Sequence, residues 1–164
     1  MDVVDLQVSK ARDSFTINAG VTDVDAYRML WGDELPIFFE QPECTVGARI
    51  GQLIENKDKW WDITDLNAAE SAADCVVRYV LPFLEKMHSR EAMKRWLLDS
   101  EVAGKRYPPP IINLASLESF LRHKSQGCTV LAELYRASKG SWRNRIAEVA
   151  EHLNCGQLQQ ASPG

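Results

Sequence analysis

Apolar residues occupy every second position in Val4-Asp5-Leu6-Gln7-Val8, and again at Phe15, Ile17, Ala19 and Val21. That is the period of strands with one face turned to a core. The short polar stretch from Lys10 to Ser14 between them predicts an antiparallel hairpin. A third alternating run, Cys44, Val46, Ala48 and Ile50, predicts a strand with Arg49 on the face opposite the apolar set. Between the second and third runs, segment 22–43 mixes acids with Trp31, Pro36, Phe38 and Phe39, and reads as an irregular excursion whose aromatics dock back onto the domain.

After Trp60-Trp61-Asp62 the period changes. Asn67 with Glu70 three residues on predicts a capped helix start. Ala69, Ala72, Ala73, Val76, Val80, Phe83, Leu84 and Met87 then recur at three- and four-residue steps, a stripe to lay against the sheet. Pro82 inside that stripe predicts a kink or break near Val80 to Pro82. Ser89 is placed to cap a second helix, about Arg90 to Asp99, that offers Met93, Trp96 and Leu97. Farther on, Leu114, Leu117, Phe120 and Leu121 predict a helix ended by Ser125-Gln126-Gly127. Val130, Leu131, Leu134 and Tyr135 predict another stopped by Gly140, and Ser141 then caps a helix carrying Trp142, Ile146, Val149 and Leu153.

Strands first and helices afterwards argue for an α+β fold: a small antiparallel sheet in the N-terminal part, packed by a long Pro-kinked helix and followed by an all-helical C-terminal part. The corresponding organisation is an α+β domain over 1–103, a proline-rich connector over 104–113 around Pro108-Pro109-Pro110, a helical extension over 114–156 packed on the first part, and a disordered tail over 157–164. A chain of 164 residues that is 45% apolar can bury enough surface to need neither disulfide nor metal for folding. Its apolar stretches are interrupted by charge well short of a membrane span. The start, Met1-Asp2-Val3-Val4-Asp5, lacks the basic flank and apolar core of a secretory leader.

The net charge of -4 conceals a division: residues 1–85 hold seven Lys/Arg against sixteen Asp/Glu, net -9, while residues 86–164 are net +5. Cys44, Cys75, Cys128 and Cys155 form no Cys-x-x-Cys pair, and four free thiols fit a reducing cytoplasm. No phosphate-binding glycine loop, nucleophile elbow or His-Glu-x-x-His motif occurs, so no catalytic residue and no cofactor is assigned. If the last two helices form an antiparallel hairpin, His123 and Cys128 come beside His152 and Cys155. That set has the ligand types of a structural zinc site, though its spacing matches no zinc module, and a Cys pair with solvated histidines is the plainer expectation. The same hairpin carries Arg122, Lys124, Arg136, Lys139, Arg143 and Arg145, an alternative surface for nucleic acid.

Adjacent Trp60 and Trp61 on a strand point to opposite faces, one toward a core and the other against a second layer or partly exposed; core packing of both is the plainer expectation, and a ligand or partner surface around the outward ring the alternative. Arg49 is the expected charged neighbour if this segment pairs with its strand, and Asp62 would then meet Arg49. The ordered set Val4-Asp5-Leu6-Gln7-Val8-Ser9, Phe15-Thr16-Ile17-Asn18-Ala19-Gly20-Val21, Cys44 with Ala48-Arg49-Ile50-Gly51, Trp60-Trp61-Asp62-Ile63 and Leu81-Pro82-Phe83-Leu84 resembles the uncharacterised bacterial domain-of-unknown-function family 4304, over about residues 3–90. The resemblance implies a fold and a bacterial cytoplasmic setting, and no reaction. Members of that family begin with a helix and a strand ahead of the position of Val3; without them a sheet edge must be covered in another way, and a sheet-edge dimer is one such way.

The leading expectation is a protein-binding domain, immunity-like or regulatory, whose surface is the acidic first half with the aromatic segment from Trp31 to Phe39; its candidate residues are Arg49, Trp60, Trp61, Asp62, Trp31, Asp33 and Glu34, with Asp23 and Asp25 among the acids around them. Nucleic-acid binding by the basic hairpin is the second, and an enzyme using Arg49, Asp62 or His88 in a pocket near Trp60 the third.

Overall fold

A computed structural model describes residues 1–40, 43–99 and 111–156 of the chain. By proximity of their Cα atoms the residues gather into two units, one made of Met1–Asp23 with Pro36–Ala92, the other of Val24–Leu35 with the described residues from Met93 onward. The proline-rich connector and the tail beyond Gly156 lie outside the described residues, apart from the connector's last residues, 111–113, which are helical.

The first unit is built on a sheet of β1 (Asp2–Val8), β2 (Ser14–Val21), β3 (Val46–Arg49) and β4 (Trp61–Asp62), all antiparallel. β2 lies between β1 and β3, and β4 pairs with the start of β2. The alternation read from the sequence sets the two faces. Cross-strand partners Ala19 and Ala48, Val21 and Val46, and Phe15 and Trp61 share the apolar face, while Asn18 stands opposite Arg49 on the other. One strand departs from expectation. Val4, Leu6 and Val8 share the face of Ala19, Ile17 and Phe15, yet they are 48%, 67% and 52% exposed while Ala19 and Ile17 are buried. The helical layer covers β2 and stops short of β1.

The third apolar run ends one residue early as a strand, because Ile50 opens a short helix, α2 (Ile50–Glu55). Gly51 permits that turn: a Cβ there would lie 2.6 Å from the Lys59 amide nitrogen. The helix over the sheet runs as α3 (Ala68–Cys75), a π turn (Val76–Val80) and α4 (Leu81–Lys86). Leu81 N–H donates to Val76 O, five residues back, so the turn widens just where the Pro82 ring would press on the carbonyl four residues before it. The expected disturbance is therefore an added residue. It shifts the buried stripe by one position. Ala72, Val80, Phe83, Leu84 and Met87 are buried as expected, but ahead of the π turn Ala68 is buried while Ala69 and Ala73 are exposed. The Asn67 side chain makes no cap; Asn67 N–H instead donates to Asp65 Oδ1 at 2.9 Å. Ser89 does cap the next helix, its Oγ accepting Ala92 N–H at 3.1 Å.

In the second unit, α1 (Val24–Trp31) occupies the stretch expected to be irregular, with Ala26 and Leu30 buried. Its sequence mixes charged with apolar residues at helical spacing, which the alternation test does not detect. The helix α5 (Arg90–Leu98) carries Met93 and Leu97 into the core. The C-terminal part is helical: α6 (Ile111–Phe120), α7 (Lys124–Ala137) and α8 (Ser141–His152). Leu30, Ile112, Ala115, Leu131, Ile146, Val149, Ala150 and Leu153 make its core cluster. Two boundaries differ from the reading of the sequence. The break after α6 falls at Leu121 to His123, and Gly127 is a buried interior residue of α7. Ser141 is the first residue of α8, with Gly140 at φ 62° in the capping position and no side-chain cap.

Candidate functional site

On the polar face of the sheet, the register brings Asp5, Gln7, Asn18 and Arg49 together. Asn18 Nδ2 donates to Asp5 Oδ1 at 2.7 Å, and the Arg49 guanidinium donates to Gln7 Oε1 at 3.1 Å and Asp58 Oδ1 at 2.8 Å. The guanidinium carbon lies 5.5 Å from the Trp60 ring centroid. Arg49 thus projects opposite the apolar set, as its strand position dictates. Its carboxylate partner differs from the one expected. β4 pairs with β2 and not with β3, so Asp62 stands opposite Ser14 while Arg49 stands opposite Asn18. Asp62 accepts from Thr64 N–H at 2.7 Å and Thr64 Oγ1 at 2.6 Å, and these bonds hold its carboxyl below the usual range.

The two tryptophans divide as alternation requires. Trp61 is buried, stacked on Phe15 with centroids 5.6 Å apart, and donates Nε1–H to Ser71 Oγ at 3.1 Å. Trp60 is exposed beside Arg49. Two open depressions border this region, one lined by Gly51, Ile54, Glu55, Lys57, Asp58 and Lys59, the other including Lys59, Asp74, Cys75 and Arg78. Neither is lined by Arg49, Asp62 or His88. His88 Nε2 lies 2.8 Å from Asp2 Oδ1. The Arg49 group therefore forms an exposed ion pair with a stacked ring, an arrangement worth about 1 kcal/mol or less in water.

The acids are not one surface. Asp23 is an internal anchor, accepting from Arg90 Nε and Nη2 and donating its N–H to Thr45 Oγ1 at 3.0 Å. Asp33 and Glu34 are exposed after α1. Trp31 packs edge-on to Trp142 at 6.1 Å and lies 5.3 Å beneath the Arg145 guanidinium. The segment from Trp31 to Phe39 was expected to dock its aromatics back onto the domain and to offer a contact surface; Phe39 docks and Phe38 does not. Ile37 is fully exposed and Phe38 is 72% exposed, while Phe39 is buried and pins the loop. Three consecutive apolar residues in a loop were the available signal.

The basic hairpin is partly engaged in packing. The Arg143 guanidinium lies 4.3 Å from the Tyr135 ring, Arg145 Nη1 donates to Glu148 at 2.8 Å, and Arg136 Nε donates to Ala132 O. Arg122 sits in the turn at φ 64°, and Lys124 opens α7. The hairpin does bring Cys128 beside Cys155, at a Cα separation of 5.4 Å, and the two are joined as a disulfide. The expectation of four free thiols is corrected to two, Cys44 and Cys75. With both sulfurs bonded to each other, the set His123, Cys128, His152 and Cys155 offers no thiolate, and His123 Nδ1 pairs with Glu118 Oε2 at 3.0 Å. Glu118 itself was missed. It is buried in α6 and also accepts from Lys94 Nζ at 2.6 Å; a lone acid in so apolar a helix has to find such partners.

The sheet order, the π turn ahead of Pro82 and the Trp pair coincide with the span of one family model, described as Domain of unknown function (DUF4304), which matches residues 1–86. The chain belongs to this family. No curated protein and no solved structure matches it. Within the DUF4304 span lie the polar face around Arg49 and the exposed loop at Ile37 and Phe38. Glu118, the basic helices and the disulfide lie outside it. No helix among the described residues is long and apolar enough to cross a membrane.

Proposed function

We propose that this chain is a non-catalytic protein-binding domain, immunity-like or regulatory, and that the loop carrying Ile37 and Phe38 is its contact surface. One observation carries the reading. Two large apolar side chains stand in water on a loop that the neighbouring buried Phe39 holds in place. Exposed singly, such residues are ordinary; paired on an anchored loop, they have the form of an interface centre. Glu40 and Glu43, in the same unit, follow the pair in sequence and supply an acidic border. The fitting partner presents an apolar pocket with a basic border.

The test begins with a partner recovered from the native organism and purified. Replacing Ile37→Ser and Phe38→Ser together lowers affinity for it by about tenfold or more, with unchanged thermal unfolding. Glu40→Gln weakens binding less and flattens its salt dependence. Full affinity in the Ile37/Phe38 variant overturns the reading. A bacterial cytoplasmic setting belongs to the same proposal and is checked by trapping thiols in intact cells. Cys128 and Cys155 recovered as thiols support a reducing compartment; recovery as the disulfide opposes it.

A further inference from the structure

The sheet ends on β1, and its outer edge pairs with nothing among the described residues. Which backbone groups face that edge follows from the hydrogen bonds at the two ends of the hairpin. Met1 and Thr22 exchange bonds, Met1 N donating to Thr22 O at 2.9 Å and Thr22 N–H to Met1 O at 2.8 Å. At the far end Ser9 N–H donates to Ser14 O. Stepping by two from either end, Val3, Asp5 and Gln7 turn their N–H and C=O toward β2, and Val4, Leu6 and Val8 turn theirs outward. These are the same three residues whose side chains stay exposed beside the buried Ile17 and Ala19. The strand runs in unbroken register, and within it there is no proline and no lysine to discourage pairing. Unpaired backbone groups and uncovered apolar side chains therefore coincide along one edge.

We propose that a second copy of this chain covers that edge, β1 pairing antiparallel with its counterpart about a two-fold axis at Leu6. The strand is complementary to itself in that register. Leu6 meets Leu6 and Val4 meets Val8, so each outward-facing pair exchanges backbone hydrogen bonds and places two apolar side chains together on the face already lined by Ile17 and Ala19. Asp5 then falls opposite Gln7, and Asp2 faces Lys10 at each end. Registers shifted toward the start of the strand are worse. An axis at Asp5 sets two carboxylates opposite each other, and an axis at Val4 sets Asp2 against Leu6. A two-fold axis normal to the sheet keeps both apolar faces on one side, so the two sheets continue as one. This surface is separate from the Ile37 and Phe38 loop.

Sedimentation of the full chain across micromolar to submillimolar concentrations tests the pairing. The expected species has twice the 18.5 kDa chain mass, and Leu6→Lys returns it to a single chain. Leu6 is 67% exposed, so that variant keeps its fold, checked by circular dichroism. The register is read from single cysteines under mild oxidation. The cysteine introduced by Leu6→Cys faces its own copy at about 5.5 Å between Cα atoms and cross-links, whereas the one introduced by Val4→Cys faces Val8 and does not. The Ile37→Ser, Phe38→Ser variant remains a dimer, which separates this proposal from the partner loop. A wild-type chain that stays monomeric throughout, a dimer that survives Leu6→Lys, or equal cross-linking by both cysteines overturns it.

Discussion

Cys44 lies buried two residues ahead of β3, outside the strand it was expected to open, and against Gly20, where an added Cβ would sit 2.6 Å from the Cys44 sulfur. Burial pushes its thiol from 9.0 up to about 11. A thiol that ionises later in the folded than in the unfolded chain contributes stability that is complete below about pH 9 and fades as the pH climbs toward 11. The unfolding free energy of wild type relative to Cys44→Ala should therefore be constant from neutrality to about pH 9 and shrink above it. Parallel curves through the whole range would show that the site does not favour the neutral thiol. Side-chain direction at this scale was readable in part, because alternation is a property of the backbone: Arg49 away from the apolar set and the two tryptophans on opposite faces, but not that Trp60 is the exposed one. Partners were not. Whether Arg49 meets Asp58 or Asp62 depends on which strand receives β4, and nothing local to either residue decides that.

Helices and strands were legible where their period is regular, and mislocated where one residue breaks it. Gly127 looks like a terminator, yet it lies inside α7 where that helix crosses α6, and a Cβ there would lie 2.7 Å from the Ala115 carbonyl oxygen. Glycine is needed for the approach and not for its flexibility. Gly127→Ala tests this with a clear sign. In an open helix interior the change would stabilise by about 1 kcal/mol, whereas here the overlap is with backbone, and the expected result is a net loss of about 1–2 kcal/mol in denaturant unfolding. A raised midpoint would sink the close-packing account. The π turn teaches the same lesson from the other side. Pro82 marks its neighbourhood in the sequence, but the one-residue shift that buries Ala68 in place of Ala69 and Ala73, keeping Ala72, arises from how the chain absorbs the proline. Val24–Trp31 escaped notice because a helix of eight residues makes only about two turns, too few for its period to stand out.

Across the whole chain, the Cys128–Cys155 disulfide closes a 27-residue separation around the α7–α8 hairpin. Under denaturing, non-reducing conditions a thiol titration should count Cys44 and Cys75 alone. Cys128→Ala with Cys155→Ala should cost about 3 kcal/mol of stability, the size expected for a loop of this length. Four reactive thiols together with an unchanged stability would remove the bond from the account. The division of charge into an acidic first half and a basic remainder is a matter of counting, and it is fully present in the chain itself. Its use is not: Asp23 is spent on Arg90, Arg145 on Glu148 and Trp31, and exposed apolar residues stand on the loop at Ile37 and Phe38 and along β1 as well as at Leu66, Val77 and Leu81. Element type, strand faces, the α+β order and the shared end of Cys128 and Cys155 follow from short-range geometry, which each segment carries within itself. The pairing of β4 with β2, the bond between the two cysteines, the close crossing at Gly127 and the bare face of β1 join residues far apart in the chain. They are chosen only when the segments compete for the same neighbours in space, because burial and pairing are settled by what the remaining elements leave uncovered.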